Sequence, residues 1–332
     1  MVVTRARRKE ARKARGSASG LRSRLALRIS YLNQGIKGPS ALCGSGQSPA
    51  LLAFLLLACV APAAAHDLKV ATWNIEWATL RPAGDPSLPA DVRPKTEDDL
   101  ALLRGYADRL DADMVAMQEV DGPAVAARIF APDRYALFFI DEDVVQGVGL
   151  AVRRGLHATR NPDLVGLELN PEARHRLRRG LDVTLDLPGA ALRVLAVHLK
   201  TGCREDPPER SARPGCAALA RQVPALAGWI AQRQAEGAAF LVLGDFNRWM
   251  GPGDPVLAAL EAAAPLARAT EGRSSPCWGQ ENFIDHILAG GAARGWMQAD
   301  TLRVMTYRES GEGWKERLSD HCPVSVRLRL PE

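Results

Sequence analysis

Short β-rich runs that stop abruptly on a polar side chain recur along this chain, and they limit what it can fold into. Leu68–Trp77, Leu181–Leu187, Leu192–His198 and Val324–Leu330 alternate between apolar and polar residues. That period of two marks strands with one buried face. Met114–Val120 and Phe240–Leu243 are nearly all apolar, as buried strands are, and Tyr135–Ile140 and Gly147–Val152 flank the acidic turn Asp141-Glu142-Asp143. Asn282–Leu288 alternates as well, with Asp285 inside the run. Leu100, Leu103, Ala107 and Leu110 have helical spacing behind Thr96, an N-cap residue followed by three acids. Further helices are expected over residues 125–130, 217–235 and 256–264, and a Pro-rich loop over 81–94. Strands and helices do not follow a strict βαβ rhythm, and no glycine-rich nucleotide-binding motif is present. The expected fold class is α/β, a four-layer sandwich of two packed, mainly antiparallel sheets flanked by helices. No internal repeat is visible after Ala65.

The first 65 residues read as a separate element. Residues 1–37 hold 11 basic residues against the single acid Glu10, and the uncharged run Pro49–Val60 precedes Ala63-Ala64-Ala65. Basic stretch, short apolar core and small-residue site make a secretory signal peptide, cleaved after Ala65. The apolar core falls short of the roughly 20 residues of a membrane span. The basic stretch is longer than an ordinary signal requires, which places a start downstream of Met1 within reach. Leu56-Leu57-Ala58-Cys59 loosely resembles a lipoprotein box, a weaker alternative because Leu57 fits it poorly. The expected location is secreted or periplasmic, with residues 66–332 as one catalytic domain. The whole chain carries net charge +5, but residues 66–332 hold 32 basic against 37 acidic residues, or −5. Overall basicity therefore says nothing about nucleic-acid binding.

Cys203, Cys216, Cys277 and Cys322 remain after cleavage, an even number that favours disulfides in an exported chain. Cys203 and Cys216 bracket a polar, Pro-containing loop, which leaves Cys277 to pair with Cys322. A zinc site is the rival, without C-x-x-C or paired-histidine spacing to support it.

The polar residues at strand ends are Asn74, Glu76, Glu119, His198, Asp245, Asn247, Asp285, Asp320 and His321. Singly, each has a plain structural explanation: Asp245-x-Asn247 can be an Asx turn, and a strand-end histidine is usually surface or satisfied core. A glutamate ending a buried run, as Glu119 does, needs a partner, either a salt bridge or a metal. Taken together the set is oxygen-rich, contains histidines and lacks cysteine. Such sites suit magnesium, with manganese or calcium as alternatives, rather than zinc. A hard divalent ion beside histidines points to phosphoryl chemistry.

These residues fall in the motifs T-W-N-I-E at 72–76, Q-E-V at 118–120, V-H-L-K at 197–200, L-G-D-F-N at 243–247, I-D-H at 284–286 and S-D-H-C-P at 319–323. In them the chain resembles the endonuclease/exonuclease/phosphatase superfamily, the deoxyribonuclease I-like proteins. The motifs occur in the family's order and cover nearly all of 68–330. The resemblance implies Glu119 as principal metal ligand with Asn74 and Asp320 close by, and Glu76 as a further site residue. It implies Asp245 and Asn247 orienting water and phosphate, and His321 in proton transfer oriented by Asp285. His198 matches a second histidine of the deoxyribonuclease I and sphingomyelinase branches, and differs from the AP endonuclease branch. Arg178 and Arg179 are the candidates for a phosphate-binding arginine, and Asp141-Glu142-Asp143 for a partner to His198.

The reading is a secreted, metal-dependent phosphodiesterase, first of all an endonuclease on DNA or RNA, acting as a monomer with no stable protein partner. A phospholipid (sphingomyelinase-like) or small phosphoester substrate is the alternative. It would call for an exposed apolar hairpin, for which Trp278, Trp296 and Trp314 are the scattered candidates. A non-catalytic binding module is the third reading, against which every motif is intact. Arg174, Arg176, Arg178 and Arg179 form a basic run that is either a groove or a solvated loop.

Overall fold

Two six-stranded sheets face each other in the computed structural model, which describes residues 67–169, 172, 176–280 and 282–331. The signal-peptide reading, the Cys59 alternative and Arg174 lie outside the described residues. The first sheet contains β1 (Asp67–Ala78), β2 (Met114–Val120), β3 (Tyr135–Phe139), β4 (Gly147–Arg153), β11 (Met297–Val304) and β12 (Val324–Arg329). They are ordered β11-β12-β1-β2-β4-β3. The second contains β5 (His157–Arg160), β6 (Leu181–Leu187), β7 (Ala190–His198), β8 (Ala239–Asp245), β9 (Leu266–Arg268) and β10 (Asp285–Gly290). Its order is β5-β6-β7-β8-β10-β9.

Each sheet has one parallel pair at its centre, β1 with β2 and β7 with β8, and antiparallel pairs elsewhere. The parallel pairs need crossovers, supplied by α1 (Glu97–Leu110) and α3 (Pro214–Ala235). Four strands of each sheet, β1-β2-β4-β3 and β7-β8-β10-β9, thus share one connectivity, while the flanking pair comes from the far end of the chain in the first sheet (β11-β12) and from just before β7 in the second (β5-β6).

Alternation along the strands assigns the layers. Leu68 and Val70 of β1, Val194 and Ala196 of β7, and Leu241 and Leu243 of β8 fill the core between the sheets. Ala71, Trp73 and Ile75 point the other way, under α1 and α2 (Gly122–Ile129). Phe240 and Val242 pack with Leu219, Leu226 and Ile230 of α3 and Leu260 of α4 (Pro255–Ala263). The result is four layers, helix–sheet–sheet–helix, as the alternation predicts. Thr96 caps α1 in a reciprocal capping box with Asp99.

The structure differs from the sequence reading mainly at edges. The strand expected over Asn282–Leu288 begins at Asp285 and continues to Gly290. Strands β5, β9 and β11 have no counterpart in the sequence reading. Two are three or four residues long, and β11 is half exposed, so none carries a clear apolar period. Both expected disulfides are present, Cys203–Cys216 and Cys277–Cys322.

Candidate active site

Three neighbouring strands deliver three of the candidate side chains in one row. His198 is paired with Asp245 across β7 and β8, and Asp245 with Asp285 across β8 and β10. Residues paired in register point to the same face, and here that face is the one lined by Val194, Leu243 and Ile287. Asn74 shares the parity of Val70, so it reaches the same inter-sheet edge from β1. Gly244 lets β7 and β8 approach beside this row: its φ is +151°, and a Cβ there would stand 1.9 Å from the Val197 carbonyl oxygen.

One local device recurs at three of the strand ends, a side-chain oxygen accepting the N–H two residues ahead. Asn74 Oδ1 accepts from Glu76 at 2.9 Å, Asp245 Oδ1 from Asn247 at 2.7 Å, and Ser319 Oγ from His321 at 3.0 Å. Asp245 and Asn247 therefore converge through an Asx turn, with φ of +52° at Asn247, and not through strand alternation. The Asx-turn reading of that pair is therefore correct, and the turn itself brings the two side chains together.

Glu119 owes its direction to a bulge. On strand parity it would follow Val115 and Met117 towards α1. Instead the β1–β2 and β2–β4 registers slip beside it, with φ of +61° at Glu119 and +41° and +48° at Glu76 and Trp77. Left-handed backbone at non-glycine residues costs about 1–3 kcal/mol apiece and gathers at functional sites. Glu119 turned in this way accepts Asn74 Nδ2 at 3.1 Å and the Trp77 N–H at 3.2 Å.

The charges are arranged around Asp245. Its Oδ2 accepts from Asn74 Nδ2 at 3.1 Å and Asn247 Nδ2 at 3.0 Å, with His198 Nε2 at 3.5 Å and His321 Nε2 at 3.8 Å. Burial, reinforced by Asp285 and opposed by His321, pushes its carboxyl up to about 7. His321 Nδ1 lies 2.8 Å from Asp285 Oδ2. Burial works against its charge, but Asp285, Asp245 and Asp320 override that and hold the imidazole well above its ordinary value. His198 is the opposite case: burial, with Arg178 beside it, pushes it well below. Arg178 Nη2 stands 2.6 Å from His198 Nδ1. Glu76 is raised to about 7 by burial and by Asp320, whose N–H donates to its Oε2 at 2.9 Å.

A cleft of about 400 Å³ brings together Glu76, Glu119, Arg178, His198, Asp245, Asn247, Asp285, Asp320 and His321. Asn74 is buried beside it, its amide joining Glu119 to Asp245. Arg179 is placed elsewhere, on Glu168 at 2.8 Å, and Arg176 also faces Glu142 and Glu168. The acidic turn does not partner His198. Glu142 accepts the Arg179 N–H, Asp141 donates its N–H to Asp163, and Asp143 faces Arg81. The neighbours of His198 are Glu119, Asp245 and Arg178.

Sequence reading missed several residues here. Lys200, Thr201, Arg204, Ser275, Gln280 and Asn282 line the cleft from loops, where no period marks them. Lys95 is buried, donates to the Glu316 carbonyl and is lowered to about 8 by burial, with Glu76 opposing. Ser319 does more than cap a turn: its buried hydroxyl also donates to the Asn74 carbonyl at 2.7 Å, tying the His321 turn to β1. His286, within the I-D-H motif, is core: its nitrogens meet Thr270 Oγ1 and the Arg248 carbonyl.

Two facing sheets with this cleft at one edge define a phosphoesterase of the nuclease and phosphatase type, and the chain belongs to the Endonuclease/Exonuclease/phosphatase family, whose model matches residues 71–321. Among solved structures it is similar to the 3′-5′ exonuclease NExo from Neisseria meningitidis, with 16% identity, a TM-score of 0.53 and coverage of 79% of this chain and 100% of that one. A Neisseria NExo 3′ phosphatase bound to product DNA hairpin gives 16% identity, a TM-score of 0.51 and the same coverage. The AP endonuclease LMAP from Leishmania major gives 14%, 0.52, and 80% and 88%. At these identities the likeness is one of fold. No curated protein matches the chain in sequence.

Proposed function

We propose that this protein is an exported, divalent-metal-dependent phosphodiesterase that cleaves nucleic acid. The observation that carries the reading is the His321–Asp285 pair, which faces Asp245 in the same cleft as Glu119. The residues fit a hard cation. Glu119, Glu76 and Asp320 offer carboxylate oxygens only, and burial, with Asp320 beside it, raises Glu76. A second grouping, Asp245, Asp285 and His321, has ligand atoms within 4.8 Å of one another, but there His321 Nδ1 is already engaged by Asp285. Glu119, Asp320 and Glu76 are therefore the proposed ligands, with Asn74 orienting Glu119. A bound divalent ion supplies positive charge against the phosphate oxygens.

The remaining steps belong to side chains. Asp245, aimed by Asn247 and Asn74 and raised to about 7, takes a proton from the attacking water as the new P–O bond forms. His321, kept protonated by Asp285, gives a proton to the leaving oxygen as the old bond breaks. Arg178 and neutral His198 hold a non-bridging oxygen. The direction of these two pKa shifts is what separates the roles of the histidines.

A nucleic-acid substrate is supported by the Neisseria relative, described as bound to a product DNA hairpin. A lipid surface has less in its favour. Among the described residues the large apolar side chains left exposed are Leu80 and Val165, whereas Trp278 is stacked on Tyr307 and hydrogen-bonded to the Ser319 carbonyl. Export rests on the leader in residues 1–65 and accords with two disulfides. The test is an assay of purified protein with Mg2+ or EDTA on plasmid DNA, RNA, sphingomyelin and bis(p-nitrophenyl) phosphate. DNA or RNA should be cut with Mg2+ only; turnover of sphingomyelin alone, or undiminished activity in EDTA, overturns the proposal.

A further inference from the structure

The segment that follows His198 carries charge that the reaction centre does not use. Leu199, Lys200, Thr201 and Arg204 line the cleft, and neither Lys200 nor Arg204 has an ion-pair partner among the described residues. The acids next in sequence do not answer them: Glu205 and Asp206 are not in the cleft, and Asp206 faces Arg213 at 3.3 Å. Lys200 is half-buried, and burial together with Arg178 lowers its amine. Half-buried Lys200 beside buried Arg178 is a like-charge pair that an anion would relieve, and exposed Arg204 adds an unpaired cation at the same cleft.

The backbone that presents these cations is tied down at Leu199, Lys200, Cys203 and Arg204. Leu199 donates its N–H to the Asp245 carbonyl at 2.9 Å and accepts Asn247 Nδ2 at 3.1 Å. Lys200 N–H donates to Gln222 Oε1 at 2.9 Å, and buried Gln222 is itself anchored on the Leu167 carbonyl at 2.8 Å. Cys203 is joined to Cys216, and its carbonyl accepts from the fully buried Arg248 at 2.8 Å. The Arg204 carbonyl accepts the Trp249 N–H at 3.1 Å. A loop this constrained loses little freedom on binding, which is the condition for a site rather than a solvated face.

We propose that Lys200 and Arg204 form a second phosphate subsite, which takes the neighbouring phosphate of the same nucleic-acid strand while the scissile phosphate lies at Asp245 and His321. The proposal rests on the nuclease reading and narrows it. The preferred substrate carries at least two phosphates in a chain, and an isolated phosphodiester leaves the subsite unused. Phosphate contacts of this kind fix register and carry no base preference.

The experiment uses the whole protein and two substrates, an oligothymidylate and bis(p-nitrophenyl) phosphate. In K200Q/R204Q the ratio of kcat/KM for the oligonucleotide to that for the small ester should fall at least about tenfold. The slope of log(kcat/KM) against log[salt] on the oligonucleotide should flatten by about 0.7, the value for one phosphate contact on a single strand. K200R/R204K should keep the ratio within about threefold of wild type, which separates charge from folding. Binding of labelled oligothymidylate in EDTA, read by anisotropy, should weaken by a similar factor in K200Q/R204Q. An unchanged ratio, salt slope and oligonucleotide Kd in K200Q/R204Q overturn the subsite. If the wild type cuts neither substrate, the nuclease reading fails, and the anisotropy comparison still decides the subsite.

Discussion

Asp285 stands directly opposite Asp245 in the β8–β10 ladder, yet its carboxylate is committed to His321, 2.8 Å from Nδ1. Its other oxygen, Oδ1, is buried without a hydrogen-bond partner. One strand pair thus supplies both Asp245, the proposed proton acceptor, and the group that keeps the facing imidazole charged. Asp285→Asn preserves shape but removes that charge. It should lower kcat by about 10²-fold or more with KM little changed, since a positioned acid or base is worth about 10²–10⁴-fold. Steady-state kinetics on plasmid DNA checks this, and wild-type kcat in D285N would remove His321 from proton transfer.

Glu119 is aimed by a strained bulge, so its exchange separates metal binding from folding. Saturating Mg2+ should raise the thermal midpoint of the wild type, because a ligand at a hundredfold over Kd adds about 2.7 kcal/mol. Glu119→Gln should fold, lose most of that increment and lose at least about a hundredfold in kcat. Equal Mg2+ shifts in the two proteins, seen by calorimetry, would place the ion elsewhere.

His286 makes stability depend on pH. Burial pushes its imidazole down to about 4, against an ordinary value of 6.5 in the unfolded chain. Between those values the unfolded state binds more protons, so the contribution is whole above pH 6.5 and is lost as pH falls towards 4, on the order of 3 kcal/mol in all. Urea unfolding from pH 7.5 to 4.5 should show a shallower decline in His286→Gln than in the wild type. Parallel curves would rule out a buried neutral imidazole.

The two disulfides should differ in what their loss does. Their separations are 13 and 45 residues, for which loop entropy gives roughly 3 and 4 kcal/mol. Cys277–Cys322 adjoins His321, so C277S/C322S should lose both stability and kcat. C203S/C216S releases the segment bearing Lys200 and should act chiefly on KM for oligonucleotides. Chemical denaturation and kinetics on both double variants test this; indistinguishable kinetic profiles would contradict the assignment.

Much of this is legible in the residues. Period-two alternation and the nearly all-apolar runs locate nine of the described strands, and strand parity puts Asn74, His198, Asp245 and Asp285 on the inter-sheet face. The exceptions have physical causes. Glu119 breaks its own parity because the bulge rotates it, and a bulge is written in the pairing of β1, β2 and β4 rather than in Q-E-V. Asn247 reaches Asp245 through a left-handed turn, which a D-x-N sequence permits but does not require. The acidic turn at 141–143 looks available to His198 only while charge is counted without direction.

By itself the sequence determined where nine of the strands run, the chemical kind of each polar residue and the cysteines that could be joined, since these depend on local order along the chain. Tertiary structure alone decided that Arg178 and not Arg179 enters the cleft, that His321 is held charged while His198 is kept neutral, and that Lys200 and Arg204 stand without carboxylate partners among the described residues. Those are properties of burial and of charges brought together from distant segments. A side chain acquires them only when the two sheets close on each other.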